Sequence, residues 1–121
     1  MPAPEWHYTG TVIRWVDGDT VDMRVEKVID VGFRIQQTAA YTGRFRLVTV
    51  DTPEQGDPGY EEAREFCESW LPPGSTVDVT TYKSDSFGRW LADLRFPGAP
   101  GTASRSMSEL LLRHGHAEVW S

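Results

Sequence analysis

The stretch TVIRWVDGDTVDMRVE, residues 11–26, decides the fold of this chain. Apart from one arginine, its first six residues are β-branched or aromatic, which favours a strand. Asp17 and Gly18 follow, a pair typical of a tight hairpin turn. From residue 21 to residue 26, apolar side chains alternate with charged ones, the period of a half-buried strand. The stretch therefore predicts a β-hairpin with one face in a core.

Further strands are predicted downstream of this hairpin. Apolar residues at positions 31, 33 and 35 continue the alternation, so we expect the strand to continue through them. A loop around residues 38–43 follows, and the next strand covers residues 44–50. A later pair of strands, residues 76–82 and 89–96, is joined by a turn at residues 85–88.

Two helices interrupt the strands. The first is expected to start near Asp57, a capping residue followed by a proline suited to the first helical position. Apolar residues then recur at helical spacing over residues 60–71, until a Pro-Pro-Gly run ends the helix. The second opens with the capping-box pair Ser106 and Glu109 and stops at Gly115. Its inward residues are Met107, Leu110 and Leu111.

The order of these elements predicts a mainly β, α+β fold. Five short strands, with a helix after the third and another after the fifth, fit a five-stranded OB-type barrel with two helices. The pattern alone leaves this barrel as one candidate among several small α+β folds. A length of 121 residues predicts a single domain over residues 1–121.

Composition excludes several classes of protein. Cys67 is the lone cysteine and lies on the apolar face of the first predicted helix, so we expect it in the core and no internal disulfide. The first ten residues lack the features of a secretory leader, and no stretch approaches a membrane-spanning length. We therefore expect a cytoplasmic protein with no membrane partner, suited to an intracellular, phage or mobile-element role.

The net charge argues against a general nucleic-acid binder. Eighteen acids against twelve bases give −6, whereas such proteins usually carry a basic patch. Residues 57–68 contain five of the acids and only Arg64 as a base, which predicts a solvated acidic helix face. The bases elsewhere include Arg34, Arg44, Arg46, Lys83 and Arg89. These bases can supply positive charge locally at a site, even though the protein as a whole is acidic. Such a site is compatible with weak, salt-sensitive binding of long nucleic acid.

Three short runs carry the chemistry of the chain. They are DGDT at residues 17–20, Arg46 with DTPE at residues 51–54, and DSFGR at residues 85–89. Each run has a plain structural interpretation: a turn, the end of a strand closed by a proline, and an exposed arginine after a glycine turn. Arg46 alone would be interpreted as a rim residue covering the sheet with its stem. Together, however, the runs supply carboxylates and guanidiniums that suit a hard divalent cation and a phosphoryl group.

The three runs, in this order, resemble the staphylococcal (micrococcal) nuclease family, and the likeness continues through SELLLRHGHA at residues 108–117. The resemblance implies an OB-fold barrel and a calcium-dependent nuclease that leaves 3′-phosphates. It implies Asp19 and Asp51 as carboxylate ligands of Ca²⁺ and Thr52 as a carbonyl ligand. It further implies Glu54 beside the ion through a water. The residues matching the phosphate-contacting arginines are Arg46 and Arg89, and those expected to contact the nucleotide are Lys83 and Phe87.

A charge count explains why these residues belong together. Asp19, Asp51 and Glu54 contribute −3 and the two arginines +2, so the site without a metal sums to −1. A bound calcium ion changes the summed charge of the site to +1, which favours binding of a negatively charged phosphodiester. The resemblance then implies in-line attack on phosphorus by water activated at Glu54.

The chain also departs from the family. The segment between Glu26 and Gly43 is longer than the family's tight hairpin, and the loop between Glu54 and Tyr60 is shorter and lacks basic positions. The family's third helix and its base-stacking aromatic would lie beyond Ser121. We therefore expect reduced gripping of bases and a preference for single-stranded DNA or RNA. The alternative to an active nuclease is a catalytically inactive OB-fold module binding nucleic acid or a protein partner. The intact acids and arginines favour the nuclease.

Overall fold

The strands of this protein close into a five-stranded barrel, and two helices pack against it. The computed structural model describes residues 6–82, 89–96 and 106–119. In chain order the elements are β1 (Trp6–Asp17), β2 (Thr20–Gly32), β3 (Ile35–Leu47), β4 (Val50–Asp51), α1 (Tyr60–Trp70), β5 (Thr76–Thr81), β6 (Trp90–Arg95), α2 (Met107–Arg113) and β7 (Glu118–Val119). The mainly β, α+β class predicted from the sequence is confirmed.

The barrel has the strand order β1-β2-β3-β6-β5. β1 lies antiparallel to both β2 and β5, and β3 meets β6 in parallel, which closes the sheet. This confirms the predicted OB-type barrel. β4 and β7 pair antiparallel in a separate two-stranded sheet that the sequence analysis did not predict.

The largest difference from the sequence analysis is in the β2–β3 hairpin. Phe33 and Arg34 form a two-residue turn, so the predicted continuation of one strand through both is wrong. The predicted loop at residues 38–43 is also wrong, because these residues form part of β3 and pair with β2. β2 pairs with β1 only as far as Glu26. Residues 27–39 therefore extend as a two-stranded ribbon in which every residue is exposed, and we call this ribbon the arm.

Other element boundaries also differ from the predicted ones. The strand expected over residues 44–50 is interrupted by a turn at residues 48 and 49, where Thr49 has a φ of 67°. α1 begins at Tyr60 rather than near Asp57, and its N-cap is Gly59 with a left-handed φ of 89°. Asp57 supplies no side-chain cap to this helix. The predicted turn at residues 85–88 lies outside the described residues.

The core lies inside the barrel and beneath the two helices. The largest fully buried side chains include Met23, Phe45, Leu47, Leu94 and Met107. Ser106 caps α2 by accepting a hydrogen bond from the main-chain N–H of Glu109, as the capping-box pattern predicted. The three inward residues predicted for α2 are buried. None of the helices in the described part of the chain is long and apolar enough to span a membrane.

Candidate active site

The turn between β1 and β2 brings Asp19 against the end of β3. The main-chain N–H of Leu47 donates to the main-chain oxygen of Asp19 at 2.8 Å, and Thr20 is the cross-strand partner of Arg46. The side chains of Asp19 and Arg46 are only 9% and 10% exposed. Two predicted site residues that are far apart in sequence are thus buried next to each other.

The carboxylate of Asp19 is held by several donors. Thr20 Oγ1 donates to Oδ1 at 3.0 Å, and the main-chain N–H of Thr52 donates to Oδ2 at 3.1 Å. Arg46 Nη2 lies 3.6 Å from the same Oδ2. Because both oxygens are engaged, the orientation of this carboxylate is fixed before any ligand binds.

Arg46 links the buried acid to an exposed one. Its Nη2 donates to Asp51 Oδ1 at 3.3 Å, and its Nη1 donates to the main-chain oxygen of Val50 at 3.1 Å. The side chain of Asp51 is 57% exposed, so one end of the network reaches solvent. Arg46 is therefore not an exposed residue at the rim of the sheet, as it would be interpreted from its sequence position alone. It is a buried guanidinium between two carboxylates.

The turn that carries Asp19 is packed closely against α1. A Cβ atom added at Gly18 would lie 2.8 Å from Ala63 Cβ and 3.1 Å from Thr52 Oγ1, so only glycine fits without a shift. The buried thiol of Cys67 donates to the main-chain oxygen of Gly18 at 3.3 Å. Burial raises the pKa of the Cys67 thiol well above its ordinary value, so it remains a neutral donor. The core position predicted for Cys67 is confirmed.

The donors at this site fit a hard divalent cation. Asp19 and Asp51 offer carboxylate oxygens, and Thr52 Oγ1 is buried without a hydrogen-bond partner among the described residues. Across the described ranges, no three His, Cys, Asp or Glu side chains come together as a metal-binding group. The fit is therefore to an ion held by two carboxylates and by neutral oxygens, a ligand set that calcium accepts.

Glu54 lies on a cleft beside this network rather than within it. The cleft measures about 470 Å³ and is lined by Asp51, Thr52 and Glu54 together with Asp57, His116 and Glu118. Four of these residues are acids, so the cleft is more negative than the sequence count indicated. His116 is positioned by ring contact with Phe66, whose centroid lies 4.6 Å away. A phosphodiester approaching this cleft needs added positive charge.

Asp17 is the second acid of the β1–β2 turn, beside Asp19. The sequence analysis interpreted it only as a turn residue. Its pKa is raised, first by partial burial and then by the charge of Asp19. The nearby Tyr60 hydroxyl, which donates to the main-chain oxygen of Val16 at 2.7 Å, and the charges of Arg44 and Arg89 act in the opposite direction. Arg89 thus lies within electrostatic reach of Asp17. The Asp-x-Asp spacing at residues 17–19 was the available signal for this second acid.

Two further predicted residues, Lys83 and Phe87, lie outside the described residues. The structure thus gathers Asp19, Arg46, Asp51 and Thr52 into one hydrogen-bonded network. It places Glu54 on the adjoining cleft and Arg89 within electrostatic reach of Asp17.

The fold and the candidate site together define a class of protein, namely OB-fold barrels that hold a buried arginine between two acids. The family described as staphylococcal nuclease homologue matches residues 44–121. A micrococcal nuclease from Shigella flexneri is 30% identical over 122 residues, covering 97% of this chain and 62% of the relative. An uncharacterized endonuclease from Escherichia coli O157:H7 is 29% identical over 112 residues, covering 92% of this chain and 60% of the relative.

The chain belongs to the staphylococcal nuclease family, as the resemblance of its three motif runs indicated. It spans about three fifths of the length of these curated relatives.

Proposed function

We propose that this protein is a calcium-dependent nuclease that hydrolyses phosphodiester bonds of DNA or RNA. The observation that carries the proposal is the position of Arg46, buried between Asp19 and the exposed Asp51, which in turn lines an acidic cleft. A purely structural ion pair does not require a solvent-exposed second acid next to a cleft. The printed names of the relatives, micrococcal nuclease and endonuclease, support the same reaction class.

The calcium ion would be held by Asp19, Asp51 and Thr52. When bound, it supplies positive charge and polarises a phosphoryl oxygen. The acidity of the cleft explains the requirement, because its four acids would otherwise repel a phosphodiester. The fixed orientation of the Asp19 carboxylate keeps one ligand in place and so lowers the entropy cost of binding.

The two arginines would stabilise the charge that develops on the phosphoryl oxygens. Arg46 Nη2 already donates to Asp51, which lines the cleft, so it would donate to a phosphate oxygen bound beside that carboxylate. Its other donor, Nη1, is held by the main chain and keeps the fork aligned. Arg89, near Asp17, would assist the leaving 5′-oxygen.

Glu54 would accept the proton of the attacking water. It is exposed on the cleft and lies outside the hydrogen-bonded network of Asp19 and Arg46, so it can contact a solvent molecule directly. As this water bonds to phosphorus, the bond from phosphorus to the 5′-oxygen would break and that oxygen would take a proton from solvent, which leaves a 3′-phosphate and a 5′-hydroxyl.

Unpaired strands would be the better substrates. The net charge of −6 and the acidic α1 surface give little attraction for a long duplex. A single strand can bring its backbone into the cleft without unpairing, and it therefore depends less on a broad basic surface.

The experiment is a digest of single-stranded DNA, duplex DNA and RNA in calcium or in excess chelator, followed by analysis of the product ends. We expect cleavage only in calcium, fastest on unpaired strands, with 3′-phosphate ends. Cleavage that persists in chelator would overturn the metal requirement. Binding without cleavage of any substrate would favour the inactive OB-fold module instead.

A further inference from the structure

The arm presents an apolar surface that nothing in its own chain covers within the described residues. Its exposed large apolar side chains are Val28, Ile29, Val31, Phe33 and Ile35. Phe33, at the tip, is 97% exposed. So many exposed apolar side chains on one short element are uncommon on monomeric proteins, and exposed apolar surface often marks interaction sites.

The tip of the arm is built at a cost in backbone strain. Phe33 and Arg34 have φ values of 54° and 61°, in the left-handed region. Glycine and asparagine are favoured at both positions of such a two-residue turn. A large aromatic residue there is unfavourable for the isolated arm, so its presence indicates a role outside the arm.

The outer edge of β3 lacks the usual protection of an edge strand. Residues 35–42 pair with β2 on one side, and β3 meets β6 only from Phe45 onward. Over these eight residues, IQQTAAYT, there is no charged residue and no proline. Natural proteins normally block exposed edges with lysines, prolines or bulges. Among the described residues nothing pairs with this edge, so it is open to pairing with another strand.

An apolar pocket lies at the base of the arm, where the barrel opens. It has a volume of about 370 Å³, and its aromatic lining consists of Tyr8, Tyr41, Phe45 and Trp90. Tyr41 meets Phe45 edge to face at a centroid distance of 6.0 Å. The pocket can hold an aromatic side chain.

We propose that two copies of this chain form a two-fold dimer through antiparallel pairing of their β3 edges. A two-fold axis normal to the paired strands places a residue opposite its own copy, and Thr38 opposite Thr38 of the other copy pairs residues 35–41 of both chains. Each tip then lies beside Gly43 of the other copy, next to Tyr41 and Phe45 at the apolar pocket. Phe33 of each copy enters the pocket of the other.

The charges of the arm favour a second copy over nucleic acid. Lys27, Asp30 and Arg34 sum to only +1, and the paired edge is uncharged, whereas an arm that follows a phosphate backbone carries rows of bases. The family match begins at residue 44, so the arm lies before the matched segment. The arm contains none of the candidate site residues, so the proposal concerns a feature separate from the candidate active site.

Sedimentation velocity between about 1 and 500 µM tests the dimer directly. We expect the parent to shift from monomer to dimer across this range. Thr38→Lys places two like charges near the axis and should raise the dimer dissociation constant about tenfold or more. Ser69→Lys, the same charge change on exposed α1, should leave the dissociation constant unchanged.

Phe33→Asn separates dimerisation from folding. Asparagine tolerates the left-handed turn, so the unfolding midpoint at the lowest protein concentration should be unchanged or raised. The dimer dissociation constant should nevertheless rise about tenfold, because the pocket loses its aromatic occupant. Oxidised Thr38→Cys should form a disulfide dimer, whereas Ser69→Cys should not, and Cys67 is buried and does not interfere.

A parent protein that stays monomeric to about 500 µM overturns the proposal. So do Thr38→Lys and Phe33→Asn variants that dimerise as tightly as the parent. If the parent is monomeric and the two variants bind DNA more weakly than it does, the arm is a nucleic-acid-binding element and the dimer proposal is wrong.

Discussion

The candidate active site and the arm lie at opposite ends of strands β2 and β3, and they differ in burial: the centre of the site is buried, whereas the arm is exposed to solvent. At the barrel end, Asp19 and Arg46 are at most 10% exposed and are fixed by hydrogen bonds to their neighbours. At the other end, every residue from 27 to 39 is exposed. The barrel thus fixes the side chains of the candidate site, whereas the arm lies in solvent and contacts none of those that the structure describes. Each prediction below tests this separation.

The largest effect is expected from Arg46→Ala. Removing the guanidinium leaves Asp19 buried without its cation, which should destabilise the fold by about 3 kcal/mol. The turnover rate should fall by about 10² or more, because stabilisation of transition-state charge is lost. Arg24→Ala is the matched control, since within the described part of the chain Arg24 pairs only with Glu26, in an exposed ion pair. Thermal unfolding and a single-stranded DNA cleavage assay measure both effects. If the Arg46→Lys variant has the full activity of the parent, this would contradict the role of Arg46 as a forked hydrogen-bond donor.

Glu54→Gln should affect chemistry without affecting the fold. The side chain is exposed on the cleft, so the unfolding midpoint should stay the same. Turnover should fall by about 10² if Glu54 accepts the proton of the attacking water. Glu62→Gln, an exposed acid on α1, serves as the control. Parent-like turnover in Glu54→Gln would remove Glu54 from the mechanism.

Asp22 should give a smaller effect that depends on pH. A hydrogen bond from Arg44 is the main cause that lowers the pKa of Asp22 below its ordinary value of 3.8. Stability from this interaction is therefore present above that value and is lost as the pH falls below it. Asp22→Asn should cost about 1 kcal/mol or less at pH 7, because its partners Arg14 and Arg44 are exposed. Urea unfolding of parent and variant should converge near about pH 2, and a constant difference would be inconsistent with this assignment.

The smallest effect is expected in the arm. Ile35→Thr replaces an exposed apolar residue with another β-branched one, so monomer stability should change by less than about 0.5 kcal/mol. Cleavage per site should equal that of the parent. Dilute samples followed by circular dichroism and by the cleavage assay measure both quantities. A large loss of either would show that the arm and the site are coupled.

The same contrast explains what the sequence could predict of the fold. The β1–β2 hairpin was predictable because one buried face imposes alternation on residues 21–26. Residues 38–43 have no buried face, so nothing in TAAYTG distinguishes a strand from a loop. The turn at Phe33 and Arg34 lacks the usual glycine or asparagine signal. The two-residue strands β4 and β7 are too short to leave a pattern.

The site was predictable as a set of residue types but not as a geometry. The motif runs supplied Asp19, Arg46 and Asp51, whose side chains do lie together. The burial of Arg46 depends on the turn after β3, which returns the oxygen of Val50 to its guanidinium. The start of α1 was misplaced because Asp57 and its proline resemble a cap, whereas the left-handed Gly59 takes that position. Such details depend on tertiary contacts.

The central claim is that calcium acts at the network of Asp19, Arg46 and Asp51, and its most direct test is the calcium dependence of cleavage in Asp51→Asn. Asp51 is exposed, so the variant should fold like the parent. We expect half-maximal cleavage by the parent at about 10⁻⁴ to 10⁻³ M calcium. The variant should need about tenfold more calcium or higher, because one carboxylate ligand is lost. An unchanged calcium dependence, or cleavage by either protein in chelator, would contradict the account.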